Sequence, residues 1–261
     1  MKIGSLFAVF LVAASSLLPA EEVLSCFTNA SWVTPHWRTF SAMDEFLEIE
    51  GWVHIVSKRS FEVNPEDEYE LTGSFRTPGD QKELTRLEFG FIPIDADEKI
   101  ISPETVLNYG GPLYTLASNA KAGDTSAVIK TSGKIRNPEY LAFNAKADFS
   151  DLPNPEVYQC AGMAEEGKEF RISLKKPLKK DYAQGTMMRR HLSGRLWTGC
   201  RGKKAGREWT LFSGRIKGIG KQGTRSVNQW WPGTERAKIF ILIGGKNRIQ
   251  FKDVTVRKIS K

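Results

Sequence analysis

The sequence predicts an all-β protein, an antiparallel β-sandwich that forms a single domain behind an N-terminal leader. Three observations carry that prediction. Apolar and polar residues alternate with period two in segment after segment, clusters of Gly, Pro, Asn and Asp separate those segments, and helical periodicity is scarce. With 40% hydrophobic residues and no low-complexity tract, the chain can bury a core without a metal or disulfide staple.

At the N-terminus, Met1 and Lys2 precede an apolar run from Leu6 to Leu18, followed by Pro19 and Ala20. A charged start, a short apolar stretch and a small exit residue describe a secretory signal peptide, cleaved after Ala20. Residues 1–20 are therefore read as leader and residues 21–261 as the folded domain, secreted to an extracellular or periplasmic space. The run is shorter than the roughly 20 apolar residues that cross a bilayer, so no transmembrane segment is expected. A lipoprotein with "VLSC" holding its lipid on Cys26 is the weaker alternative, because Glu21 and Glu22 interrupt the apolar lead-in.

The strands follow in order. "SAMDEFLEI" (41–49) is the best helical candidate, although it also suits an edge strand or a connecting turn. "YELTGSF" places Tyr69, Leu71, Gly73 and Phe75 on one face, and "RLEFGFI" does the same with Leu87, Phe89 and Phe91. "EFRISLKK" turns Phe170, Ile172 and Leu174 inward, and "WTLFSGRIKG" turns Thr210, Phe212, Gly214 and Ile216. "AKIFILI" (237–243) is apolar on both faces, as a central strand should be, and "RIQFKDVTVRKI" closes the chain with another alternating run. "NPEDE", "TPGDQ", "NYGGP", "KAGDT", "DLPNP" and "KKPLKKD" supply the turns.

Charge narrows the function. The net charge is +8, but residues 1–130 hold 10 Lys/Arg against 19 Asp/Glu, and residues 131–261 hold 28 against 11. A second half this basic points to an acidic partner, or to a basic surface that engages nothing. An exported address and the lack of a helix-turn-helix, finger or RNA-binding signature argue against nucleic acid. Cys26, Cys160 and Cys200 leave room for one bridge and an odd thiol, with no pairing preferred. No Cys/His cluster suits zinc. "IPIDADEKI" brings Asp95, Asp97 and Glu98 together without the spacing of a glycosidase pair, so it reads as an acidic turn. No G-x-S-x-G nucleophile elbow or phosphate-cradling glycine loop is present.

The stretch "MMRRHLSGRLW" (187–197) concentrates the candidate chemistry. If it is extended, Arg189 and His191 lie about 7 Å apart on one face. That spacing suits two contacts to one sugar or carboxylate, and the planar guanidinium matches a uronate. Arg195 adds charge. Trp197, Trp209, Trp230 and Trp231 are candidate sugar platforms, but adjacent Trp230 and Trp231 face opposite ways in a strand, so at most one meets a ligand. A solvent-facing Arg189 predicts that Arg189→Ala weakens binding to an acidic glycan while hardly moving the melting temperature. The competing structural reading pairs Arg189 with an acid on a neighbouring strand and His191 with a backbone carbonyl.

"FEVNPEDEYELTGSFRTPG", "LEFGFIPIDADEKIIS" and the closing "IQFKDVTVRKI" resemble the strands of CenC-type carbohydrate-binding modules. "GTMMRRHLSG" and "NQWWPGTERAKIFILI" are similar to jelly-roll domains of exported bacterial polysaccharide-utilisation proteins. The resemblance covers about residues 60–258 and implies a jelly roll that binds a polysaccharide or oligosaccharide without catalysis. It also implies an edge calcium at Asp253, although Lys252 replaces the preceding acid and weakens that site. Trp197 stands where the pattern has Tyr. Two alternatives stay open. One is a lyase acting on uronic-acid polymers, with Arg189 neutralising the carboxylate and His191 or Tyr182 taking the proton. The other is a cell-surface structural protein that shares the fold.

Overall fold

A computed structural model describes residues 20–34, 40–43, 45–131, 137–223 and 225–259. The leader expected over residues 1–20 therefore lies, but for Ala20, outside the described residues. Strands dominate, and every ladder between them is antiparallel. One sheet runs Thr210–Ile216, Glu68–Arg76, Arg248–Ile259, Leu47–Glu50 and Ser41–Ala42, with Glu21–Cys26 also paired to the long closing strand. A second runs Leu196–Lys204, Arg86–Ile94, Arg236–Gly244, Val53–Ser57 and Trp32–Val33, with Phe61–Glu62 paired to Arg236–Gly244. The inward residues foreseen from alternation meet here. Leu71, Phe75, Phe89, Ile239, Ile241 and Phe251 are buried in one apolar core, with Trp230 among them. Among the described residues no helix is long and apolar enough to cross a membrane.

Alternation fails at one place, and the failure is structural. Ile249 and Phe251 point inward, so an unbroken strand would bury Asp253 and expose Val254 and Val256. Instead the register shifts between Lys252 and Thr255, and Asp253 takes a φ of 53°. This bulge leaves Asp253 exposed and returns Val254 and Val256 to the core. It also divides the strand edge: Leu47–Glu50 pairs with residues 248–251 and Glu21–Cys26 with residues 254–258. "SAMDEFLEI" is part of that edge, as the strands Ser41–Ala42 and Leu47–Glu50, and not a helix.

The region between Arg86–Ile94 and Leu196–Lys204 contains a separate closed barrel. Its strands run Ser126–Lys130, Glu169–Leu174, Val157–Glu166, Tyr140–Phe143, Met187–His191 and Tyr114–Leu116, which returns to the first. Leu116, Ile129, Leu141, Phe143, Ile172 and Met188 fill it. The chain read as one domain over 21–261 thus carries two apolar cores. The barrel leaves the sandwich after the short helix Pro103–Val106 and returns beside its own start. A bridge joins Asn108 to His191, and Leu192 N–H donates to the Leu107 carbonyl at 3.0 Å.

Candidate functional site

Arg189 and His191 share a face of their strand, as their spacing predicts, but that face is covered. Arg189 is 4% exposed and His191 0%. The Arg189 guanidinium pairs with Asp151, itself buried, and lies 4.6 Å from the Phe149 ring. His191 Nδ1 sits 2.7 Å from the Glu104 carbonyl, which makes Nδ1 the protonated nitrogen and leaves buried Nε2 bare. Burial lowers the His191 pKa to about 4, with the Glu104 carbonyl opposing that shift. The loop around residues 146–154 and the helix Pro103–Val106 supply this cover, so the expectation of a solvent-facing pair is corrected. The lyase assignment loses its residues by the same geometry. Tyr182 is buried in the barrel 3.1 Å from the Tyr158 hydroxyl, and burial with that hydrogen bond raises its pKa.

Arg195 and Trp197, four and six positions beyond His191, open onto a different surface. The outer face of the second sheet sets His54 beside Leu242 and Leu242 beside Glu88, then Val56 beside Phe240 and Phe240 beside Gly90. A cleft of about 540 Å³ lies over this face, walled by Arg195, Trp197, Arg201, Arg225, Ile100 and Trp231. Glu88 organises it. Its Oε2 accepts from Trp197 Nε1 at 2.8 Å and stands 3.8 Å from Arg195 Nη1. The indole is therefore oriented before any ligand arrives. The Arg201 guanidinium lies 4.3 Å from the Trp197 ring centroid, an exposed contact worth about 0.5–1 kcal/mol. His54 packs edge-on against Phe240 at 5.6 Å, and its pKa is lowered by burial and then by the Arg195 charge.

The cleft adjoins a recess of about 900 Å³ on the same sheet face, bordered by Leu242 and Glu88 and lined by Trp52, Lys82, Glu83, Arg86, Lys204 and Lys246. Together the two cavities present seven Lys/Arg side chains against the carboxylates Glu83 and Glu88, so the surface attracts anions.

Of the residues singled out in the sequence, Arg195, Trp197 and Trp231 come together at the cleft. Trp230 does not: it is 0% exposed and packs with Phe61, Tyr69 and Phe91 in the sandwich core. Trp231 is nearly as buried and offers only part of its surface to the cleft wall. Trp209 packs edge-on against Phe46 and under the Arg76 guanidinium on the other sheet. Asp253 is the exposed residue of the bulge, and no group of three potential metal ligands occurs among the described residues, so the calcium expectation finds no donor set there. Cys26, Cys160 and Cys200 are buried free thiols, and burial pushes Cys26 and Cys160 up to about 12. The bridge the sequence left room for is absent. His54, Phe240, Arg201 and Arg225 were missed. Only Phe240 left a signal, in a strand apolar on both faces.

No protein-family model matches the chain, and no curated protein matches it. Among solved structures, the chain is similar to the CBM22-1–GH10 modules of Clostridium thermocellum xylanase 10B complexed with xylohexaose. The identity is 8% and the TM-score 0.41, over 92% of this chain and 29% of that one. It is also similar to the CBM22-1 xylan-binding domain of Paenibacillus barcinonensis Xyn10C, at 7% identity and TM-score 0.37, over 93% and 99% of the two chains. The CBM22-1–CBM22-2 tandem of the same protein gives 8% and 0.40, over 95% and 48%. This chain spans less than a third of the first of these. None of the three is described as CenC-type, so that finer resemblance is not confirmed by them.

Proposed function

We propose that this is an exported glycan-binding protein that holds an acidic polysaccharide or oligosaccharide on the outer face of its second sheet. The observation that carries the reading is Trp197: a part-exposed indole, fixed by Glu88 and set in a cleft whose charged walls are mostly basic. Flat C–H faces of a sugar ring pack on an indole, while guanidinium groups pair with carboxylate or sulfate oxygens. Acidic specificity is supported by the basic lining of both recesses. The binding is non-catalytic in this reading, because the basic side chains around the cleft hold and orient a polyanion.

Affinity electrophoresis on neutral and acidic polysaccharides tests it. The folded protein should be retarded by at least one acidic polymer, and Trp197→Ala should weaken that binding about tenfold, or ~1.4 kcal/mol. A folded wild type that runs freely on every polymer sinks the reading. So does a Trp197→Ala variant that binds like wild type.

A further inference from the structure

We propose that Tyr109, Arg190 and Arg225 form an oxyanion clamp where the barrel meets the sandwich, taking the carboxylate or sulfate group of a charged sugar. The clamp deepens the glycan-binding reading and takes its substrate class from it. Tyr109 is 49% exposed, although it is large and aromatic. The Arg190 guanidinium carbon lies 3.5 Å from its ring centroid and that of Arg225 5.6 Å. The Arg190 guanidinium meets the buried Tyr114 side chain, but neither arginine has a carboxylate within ion-pair distance among the described residues, and the buried Nε of Arg190 has no hydrogen-bond partner. Two cations gathered on one ring repel each other, and an anion shared between them removes that cost. Arg225 also lines the Trp197 cleft, so an anion held here would belong to the same ligand.

Three separate parts of the chain build the clamp, and they are fastened together. Arg190 comes from the strand that ends the barrel, and Tyr109 from the turn that begins it. Arg225 follows the loop that crosses beneath that turn. Buried Asn108 makes the joint: its N–H donates to the Gly223 carbonyl at 3.0 Å, its side-chain amide donates to the Gln222 carbonyl, and its Oδ1 accepts from Gly110 N–H at 2.8 Å. Gly223 has a φ of 60°, and a Cβ there would overlap the Val106 carbonyl oxygen. The loop can therefore approach this closely only because the residue is glycine. Such fastening places the cations before a ligand binds, which lowers the ordering cost of binding. The inserted barrel is thus part of the recognition surface.

Small anions test the clamp without knowledge of the polysaccharide backbone. Glucuronate, inorganic sulfate and uncharged glucose are titrated into the full chain while the arginine side-chain Nε–Hε resonances are followed. Saturable shifts of Arg190 and Arg225 with an anion, and none with glucose, are expected. Response to glucuronate alone identifies a carboxylate as the natural group, and response to sulfate alone identifies a sulfate ester. Arg225→Gln and Tyr109→Ala, both at exposed positions, should each weaken the anion response at least fivefold at unchanged melting temperature. An absence of saturation with both anions, or variants that respond like wild type, overturns the clamp. Anion binding here beside a protein that no polysaccharide retards overturns the glycan reading and leaves the clamp standing.

Discussion

A guanidinium and an imidazole two residues apart look alike in sequence whether they face a ligand or a core. Arg189 faces neither: the loop that carries Phe149 and Asp151 closes over it. Its ion pair with Asp151 is almost fully enclosed, at 5% and 7% side-chain exposure, so removing one partner strands a buried charge. Arg189→Ala should lower stability by about 3–5 kcal/mol, the range for a broken buried pair, and leave glycan retardation of the folded protein unchanged. Urea denaturation with electrophoresis on the same sample checks both halves, and a stable variant with weakened binding would restore the surface reading. His191 adds a pH signature. Its folded pKa of about 4 lies below the ordinary 6.5, so the unfolded chain takes up a proton that the folded protein refuses. Stability from this group is present above about pH 6.5 and lost as pH falls towards 4, by roughly 3 kcal/mol at full extent. Denaturation curves of wild type and His191→Gln from neutral to mildly acidic pH should diverge over that window. Parallel decline in the two would count against it.

At the level of elements, close backbone approach decides where the surface around Trp197 forms. Gly90 lies on the outer face of its strand beside Phe240, and a Cβ there would overlap the Leu196 carbonyl oxygen. The strand Leu196–Lys204, which carries Trp197, can sit so near only because that side chain is missing. Gly90→Ala should therefore shift this strand, lower the melting temperature and weaken glycan binding together. An alanine variant with unchanged melting temperature and binding contradicts the packing described here. Most strands were legible, because each has one face towards a core and period-two alternation records it. The closing strand was legible only up to Phe251. Beyond it a left-handed Asp253 resets which residues face inward, and one acidic residue in an alternating run does not announce a bulge. The helical option at "SAMDEFLEI" failed for a similar reason, since a short amphipathic run fits either period until its partner strand is known.

For the molecule as a whole, charge asymmetry carries into the fold. The basic second half contributes Lys204, Lys246, Arg195, Arg201 and Arg225 to the sheet face, and Lys82 and Arg86 join them from the first half. Binding to an acidic polysaccharide should therefore weaken progressively as salt is raised, because exposed charges are screened within about 10 Å at 0.1 M. Retardation by a neutral glycan should change little. Electrophoresis at graded salt separates the two, and salt-independent binding of an acidic polymer would falsify the electrostatic component.

By itself the sequence determined the all-β class, the inward set of most strands, the turn positions and the basic character of the second half, since each is written in local periodicity and composition. Tertiary structure alone decided that residues 114–191 close on themselves as a barrel. Strands that wall a barrel and strands that cover a sandwich alternate identically, and only their partners differ. It also decided the fate of "MMRRHLSGRLW". The loop around residues 146–154 covers Arg189 and the helix Pro103–Val106 covers His191, while Arg195 and Trp197, a few residues on, line a cleft on an open sheet face. Cover and exposure there depend on segments 38 and 87 residues away in sequence, as with Asp151 against Arg189 and Glu104 beside His191. No local pattern records contacts of that range.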